Sequence, residues 1–133
     1  MDRIFRILAL AAIVLCPSVA RAQESYEVFV PIARYLEQGD AEKLSAWFDD
    51  TLEVSINGVS NDSSRNQARQ IVKRFFTNVK PTSFTLQHAA SKSNMNYALG
   101  VLASGSTSYS VTVFVSLKGD SYRIQQLKIE KIR

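Results

Sequence analysis

Apolar residues recur at helical spacing at the start of the chain and at every second position near its end. Between Glu24 and Gln38, Tyr26, Phe29, Ile32, Ala33 and Leu36 fall on one face of a predicted helix. Pro31 lies inside that stretch, and proline sits comfortably only in a first turn, so the spacing predicts either a regular start near Val28 or a kink at Pro31. Gly39 suits the position just past a helix end, and Asp40 can then cap a short second helix presenting Leu44, Trp47 and Phe48. Leu52, Val54 and Ile56 alternate with Glu53, Ser55 and Asn57, the mark of a half-buried strand, and Asn57-Gly58 is a turn signal. Asn61-Asp62-Ser63 has the form of a glycosylation sequon and reads as a loop. Ser64 with Gln67 forms a capping box for a third helix, whose stripe is Ala68, Ile71, Val72, Phe75, Phe76 and Val79 and whose end is set by Pro81.

From Phe84 onward the period is two. Phe84, Leu86, His88 and Ala90 are expected on one strand face, Tyr97, Leu99, Val101 and Ala103 on the next, and Tyr109, Val111, Val113, Val115 and Leu117 on a third. The turn at Lys118-Gly119-Asp120-Ser121 leads to Tyr122, Ile124, Leu127 and Ile129, where the odd step from Ile124 to Leu127 predicts a β-bulge at Gln125-Gln126. Three helices followed by a strand-rich half define an α+β domain, its antiparallel sheet curling over the helices.

The first residues change the reading of composition. Arg3 and Arg6 precede an apolar run from Ile7 to Cys16, too short to span a bilayer, and Ala20-Arg21-Ala22 forms a small-residue cleavage site. Residues 1–22 therefore read as a signal peptide cut before Gln23, which makes the protein periplasmic or secreted. Residues 23–133 are then expected to form a single domain of 111 residues. The rival reading, a lipoprotein acylated at Cys16, is opposed by Leu15 before it and Pro17 after it. Cys16 is the only cysteine, so the remaining chain has neither a disulfide nor a thiolate metal site. Arg3, Arg6 and Arg21 against Asp2 give the leader +2 of the chain's +4, and the modest remainder offers no argument for nucleic acid. No second apolar run is long enough for a transmembrane segment.

The residue pattern Phe29-x-Pro31-Ile32-x-x-Tyr35, Gly39-Asp40, Leu44-Ser45-x-Trp47-Phe48, Leu52-Glu53, Gln67-Ala68, Phe75-Phe76 and His88 resembles a family of small exported bacterial proteins classed as a domain of unknown function. The order of elements resembles the nuclear-transport-factor-2-like (cystatin-like) fold, a cone with an apolar interior. The resemblance implies a fold and no established activity. Enzymes of that wider group, among them ketosteroid isomerases, dehydratases and polyketide cyclases, hold a carboxylate or a His–Asp pair inside the cone. Here Glu53 and Glu130 fall opposite the apolar residues of their strands, and no strand is expected to offer an inward Asp or Glu.

His88 is the one titratable group on its apolar strand face. Without a carboxylate partner it reads first as a structural histidine and second as a general base. Tyr97, Tyr109 and Tyr122, with Trp47, Phe84 and His88, are the candidate lining of a pocket for a small apolar ligand; core packing is the plainer reading for each. Arg65, Arg69, Lys73 and Lys80 make a basic stripe on the third helix, by default a solvated flank and alternatively a surface for an anionic partner. No catalytic set, metal site, cofactor fingerprint or nucleic-acid motif emerges. Thr112, Phe114 and Ser116, with Ala98, Gly100 and Leu102, are expected to form an uncharged outer sheet face suited to a homodimer. The sequence thus points to a non-enzymatic exported domain that works by binding or assembly. The alternatives are a small-molecule carrier and an isomerase- or dehydratase-like proton-transfer enzyme built on His88.

Overall fold

The computed structural model describes residues 26–133. The expected leader, its cleavage before Gln23 and Cys16 lie outside the described residues. Helix α1 covers residues 26–38 and runs through Pro31 without interruption, so the chain is already helical before Val28. Its buried face is Phe29, Ile32 and Leu36, while Tyr26 is exposed. Gly39, at φ 65°, ends it in the left-handed conformation, with the Asp40 N–H donating to the Tyr35 carbonyl at 2.9 Å. Asp40 then caps α2 (Ala41–Ser45), accepting from the Lys43 N–H at 3.0 Å.

The second helix is shorter than its apolar spacing suggests. It stops at Ser45, Trp47 lies in the turn, and Phe48 opens strand β1 (Phe48–Ile56). Leu44, Trp47 and Phe48 satisfy helical spacing, but Phe48 enters the core from the sheet side. The Asn57-Gly58 turn is present, both residues having positive φ. It leads directly into strand β2 (Val59–Ser64), so Asn61-Asp62-Ser63 is strand and not loop. Its polar, exposed sequence carries no hydrophobic alternation because β2 is an edge strand, bonded to β1 alone. Helix α3 (Arg65–Val79) starts with the expected reciprocal cap: the Gln67 N–H donates to Ser64 Oγ at 3.2 Å and the Ser64 N–H to Gln67 Oε1 at 3.1 Å.

Strands β3 (Ser83–Lys92), β4 (Met95–Ser104), β5 (Thr107–Lys118) and β6 (Ser121–Lys131) complete one six-stranded sheet of order β2-β1-β6-β5-β4-β3. The β1–β6 pair is parallel and the rest are antiparallel, so the sheet is mixed where an antiparallel one is expected from sequence. The bulge predicted at Gln125-Gln126 is present: Val115 faces Ile124 and Phe114 faces Gln126, leaving Gln125 extra.

A second bulge overturns the expected faces of β3 and β4. Leu86 faces Gly100 while His88 faces Leu99, so Gln87 is the additional residue and parity changes there. Phe84, Leu86 and Ala89 pack against the core; His88 is on the opposite, exposed face. On β4 the inward residues are Ala98 and Leu102, both buried, with Gly100 between them. Tyr97, Leu99, Val101 and Ala103 therefore face outward, the reverse of the sequence expectation. β5 keeps its expected face, with Tyr109, Val111, Val113 and Val115 buried. These residues, with Ile124, Leu127 and Ile129 of β6 and the stripes of the helices, form one apolar core.

Candidate functional site

The proposed pocket lining does not converge. His88 and Tyr97 lie on the outer sheet face, ring centroids 5.7 Å apart, and Tyr97 continues to Phe114 at 6.0 Å. Phe84 and Tyr109 are on the inner face; Tyr109 meets Phe75 edge-on at 5.2 Å. Trp47 and Tyr122 share a separate cleft with Asp120 and Arg123. The His88 side chain has no hydrogen-bond partner among the described residues, so it lacks there the orienting carboxylate a general base needs. No group of three or more His, Cys, Asp or Glu side chains among the described residues is placed to hold a metal ion.

One buried acid escaped the sequence reading. Asp49 falls between the expected second helix and the expected strand, and in the structure it is the second residue of β1, 7% exposed. Its Oδ2 accepts from Lys118 Nζ and from Gln125 Nε2 at 2.8 Å, and its Oδ1 from the Asp50 N–H at 2.8 Å. Burial pushes the carboxyl up, but the bonds from Lys118, Gln125 and Asp50, with the Lys118 charge, outweigh it and leave it below the usual carboxylate value. An acid held ionised and capped by an ammonium group is a poor proton acceptor. Its chemistry is that of a clasp tying β1 to the β5–β6 hairpin.

The basic stripe divides. Arg65 bonds to the Phe48 carbonyl and Asp50, both at 3.0 Å, which anchors the start of α3 to β1. Arg69 pairs with Glu42 at 3.4 Å. Lys73 and Lys80 line a groove beside Gly39 that also contains Asp40 and Glu42. With both signs of charge in it, that groove gives an anionic partner little preference.

The cleft with the chemistry of a binding site lies elsewhere, between the β1–β2 hairpin and the C-terminal half of α3. Its volume is about 380 Å³, within the span of small-molecule sites. Ile56 and Val59 come from the hairpin, Ile71, Phe75 and Val79 from α3, and Tyr109 from β5. Asn57, Asn61, Arg74 and Asn78 form the polar part of the lining. Asn57 is fixed by its Oδ1, which accepts from the Lys131 N–H at 2.8 Å. Ile71, Phe75 and Val79 belong to the α3 stripe seen in the sequence, and Arg74 and Asn78 fall outside it. What groups them is the β1–β2 hairpin, whose second strand has no periodic signal.

Comparison of the fold places the protein in a class. A crystal structure of an NTF2-like protein of unknown function from Shewanella baltica superposes with a TM-score of 0.64 at 5% identity, covering 86% of this chain and 96% of the other. A domain of unknown function with a cystatin-like fold from Nostoc punctiforme gives 0.63 at 17% identity, covering 88% and 77%. The fold is thus the NTF2-like, cystatin-like α+β fold. Within it, residues 29–130 match the domain of unknown function DUF4783, and the chain belongs to that family. A DUF4783 family protein from Bacteroides ovatus superposes with a TM-score of 0.75 at 23% identity, over 78% of this chain and 94% of that one. No curated protein matches the chain. No helix among the described residues is long and apolar enough to cross a membrane.

Proposed function

We propose that this protein is an exported binding module that takes a small molecule with an apolar body into the cleft between the β1–β2 hairpin and α3. The observation that carries the reading is the lining itself: six apolar or aromatic side chains beside four polar ones in a volume of about 380 Å³. Export rests on the leader expected at residues 1–22. Binding is favoured over proton-transfer catalysis by the position of His88 on the outer sheet face and by the engagement of Asp49 with Lys118. Native mass spectrometry of protein purified from its producing cells tests the reading, with a small-molecule adduct that dissociates on unfolding as the expected result. Ligand-free protein whose Phe75 and Tyr109 resonances ignore apolar probes would reject it. Reproducible turnover of ketone, epoxide or ester substrates, abolished by His88→Ala, would restore the enzyme reading.

A second reading has its own observation. The outer sheet face carries the row His88, Tyr97 and Phe114, with Leu99 and Met95 more than one-third exposed beside it. A second copy of the chain is the proposed cover for this patch, centred on Tyr97 and Leu99 in place of the inward Ala98, Gly100 and Leu102. Sedimentation showing a monomer at high concentration would dispose of it.

A further inference from the structure

We infer that the ligand of the hairpin–α3 cleft is a small amphiphile carrying a carboxylate, read by Arg74. The inference rests on the cleft being a binding site and adds the charge of what it binds. Its first ground is the charge balance of the lining. Arg74 is the only charged residue in it, and Asp and Glu are absent from it. The groove beside Gly39, by contrast, sets Lys73 and Lys80 against Asp40 and Glu42.

The second ground is that Arg74 is uncommitted. Arg65 and Arg69 of the same helix are tied to Asp50 and Glu42. The Arg74 side chain has no ion pair or hydrogen bond among the described residues. Asp62 lines the adjoining cleft that shares Asn61, Ile71 and Arg74, yet it forms no ion pair with the guanidinium.

The third ground is donor supply. The Asn61 and Asn78 side chains and the Tyr109 hydroxyl also lack partners among the described residues, and Asn57 uses only its oxygen, leaving its NH₂ free. Arg74 and Asn78 lie four residues apart on α3 and so share a helix face. A planar guanidinium with neighbouring amide donors matches the two oxygens of a carboxylate. Ile56, Ile71, Phe75 and Val79 would cover the apolar body.

Titration of the full chain with octanoate, octanol and octylammonium, followed by backbone and Tyr109 NMR shifts, tests this. Octanoate is expected to bind at the cleft about tenfold more tightly than octanol, and octylammonium more weakly than either. Arg74→Gln should abolish the difference between octanoate and octanol, and Arg74→Lys should keep part of it. Because Arg74 is exposed, these variants are expected to fold; unchanged amide spectra away from α3 would verify that. Octanol binding as tightly as octanoate, or an octanoate affinity indifferent to Arg74→Gln, overturns the carboxylate assignment and leaves the cleft reading standing. Binding of none of the three overturns the cleft reading and the assignment with it.

Discussion

The Phe84 side chain of β3 lies directly over Gly100 of β4, occupying the space a β-carbon would take. Such a carbon would overlap the ring and stand 2.7 Å from the Thr85 carbonyl oxygen. Glycine is required here for close approach and not for turn geometry, since it pairs with Leu86 beside the Gln87 bulge and its φ is not positive. Gly100→Ala is therefore expected to destabilise the protein by about 1–3 kcal/mol, as overpacking does. Phe84→Leu should recover only part of that loss, because the Thr85 carbonyl remains in the way. Urea denaturation of the two single variants and the double variant measures this coupling, and independent, additive losses would contradict it.

The Asp49–Lys118 clasp predicts a pH dependence of definite sign. The folded carboxyl titrates below its unfolded value, so the folded state binds its proton less readily. The clasp's contribution is fully present above the unfolded value near pH 4 and is lost as pH falls through the folded one. Asp49→Asn should cost roughly 1–2 kcal/mol at neutral pH, discounted because Lys118 is more than half exposed. The variant's stability should also fall less steeply as the pH drops below about 4. Parallel acid profiles for the two proteins would show that the carboxylate does not contribute in this way.

Legibility from sequence followed the sharpness of each alternation. In β5, three valines alternate with Ser110, Thr112, Phe114 and Ser116, mostly small polar residues, and its face is as read. In β4 both faces hold apolar residues, with Tyr97, Leu99 and Val101 against Ala98 and Leu102, so the larger side chains suggested the wrong interior. Gly100 presents no side chain inward because Phe84 already fills the space over it. The Gln87 bulge gave no signal, since Phe84, Leu86, His88 and Ala90 alternate without a break, whereas the step from Ile124 to Leu127 exposed the bulge in β6. Asp49 and the cleft depend on tertiary partners: Lys118 and Gln125 for the acid, and the polar β2 hairpin for the groove over α3.

The two ends of α3 make opposite predictions. Ser64→Ala removes an acceptor from the Gln67 N–H and should cost about 1 kcal/mol. Lys80 ends the helix at φ 53°, a conformation that opposes a β-carbon. Its carbonyl accepts from Ser104 Oγ at 3.0 Å, a bond that glycine can keep. Lys80→Gly should accordingly stabilise by about 0.5–1 kcal/mol. Thermal or chemical denaturation reads both, and a Lys80→Gly variant less stable than the parent would mean that the Lys80 side chain contributes more than the strain removed.

Leu99 and Leu102 provide a direct comparison of the two faces of β4, with the same side chain three residues apart on one strand. Leu102 is fully buried and Leu99 is 38% exposed beside Tyr97. The register pairs Leu102 with Tyr109 on the core face and Leu99 with Thr112 on the outer one. Leu102→Ala should open a cavity and cost about 2–5 kcal/mol, whereas Leu99→Ala should change stability by no more than about 0.5 kcal/mol. If the outer face also joins two copies, the second substitution should weaken their association while sparing the fold. Equilibrium denaturation at low protein concentration separates the two effects, because a dimer's contribution depends on concentration and a monomer's does not. A greater intrinsic loss for Leu99→Ala than for Leu102→Ala would return β4 to the register suggested by its larger side chains, with His88 and Tyr97 turned toward the core.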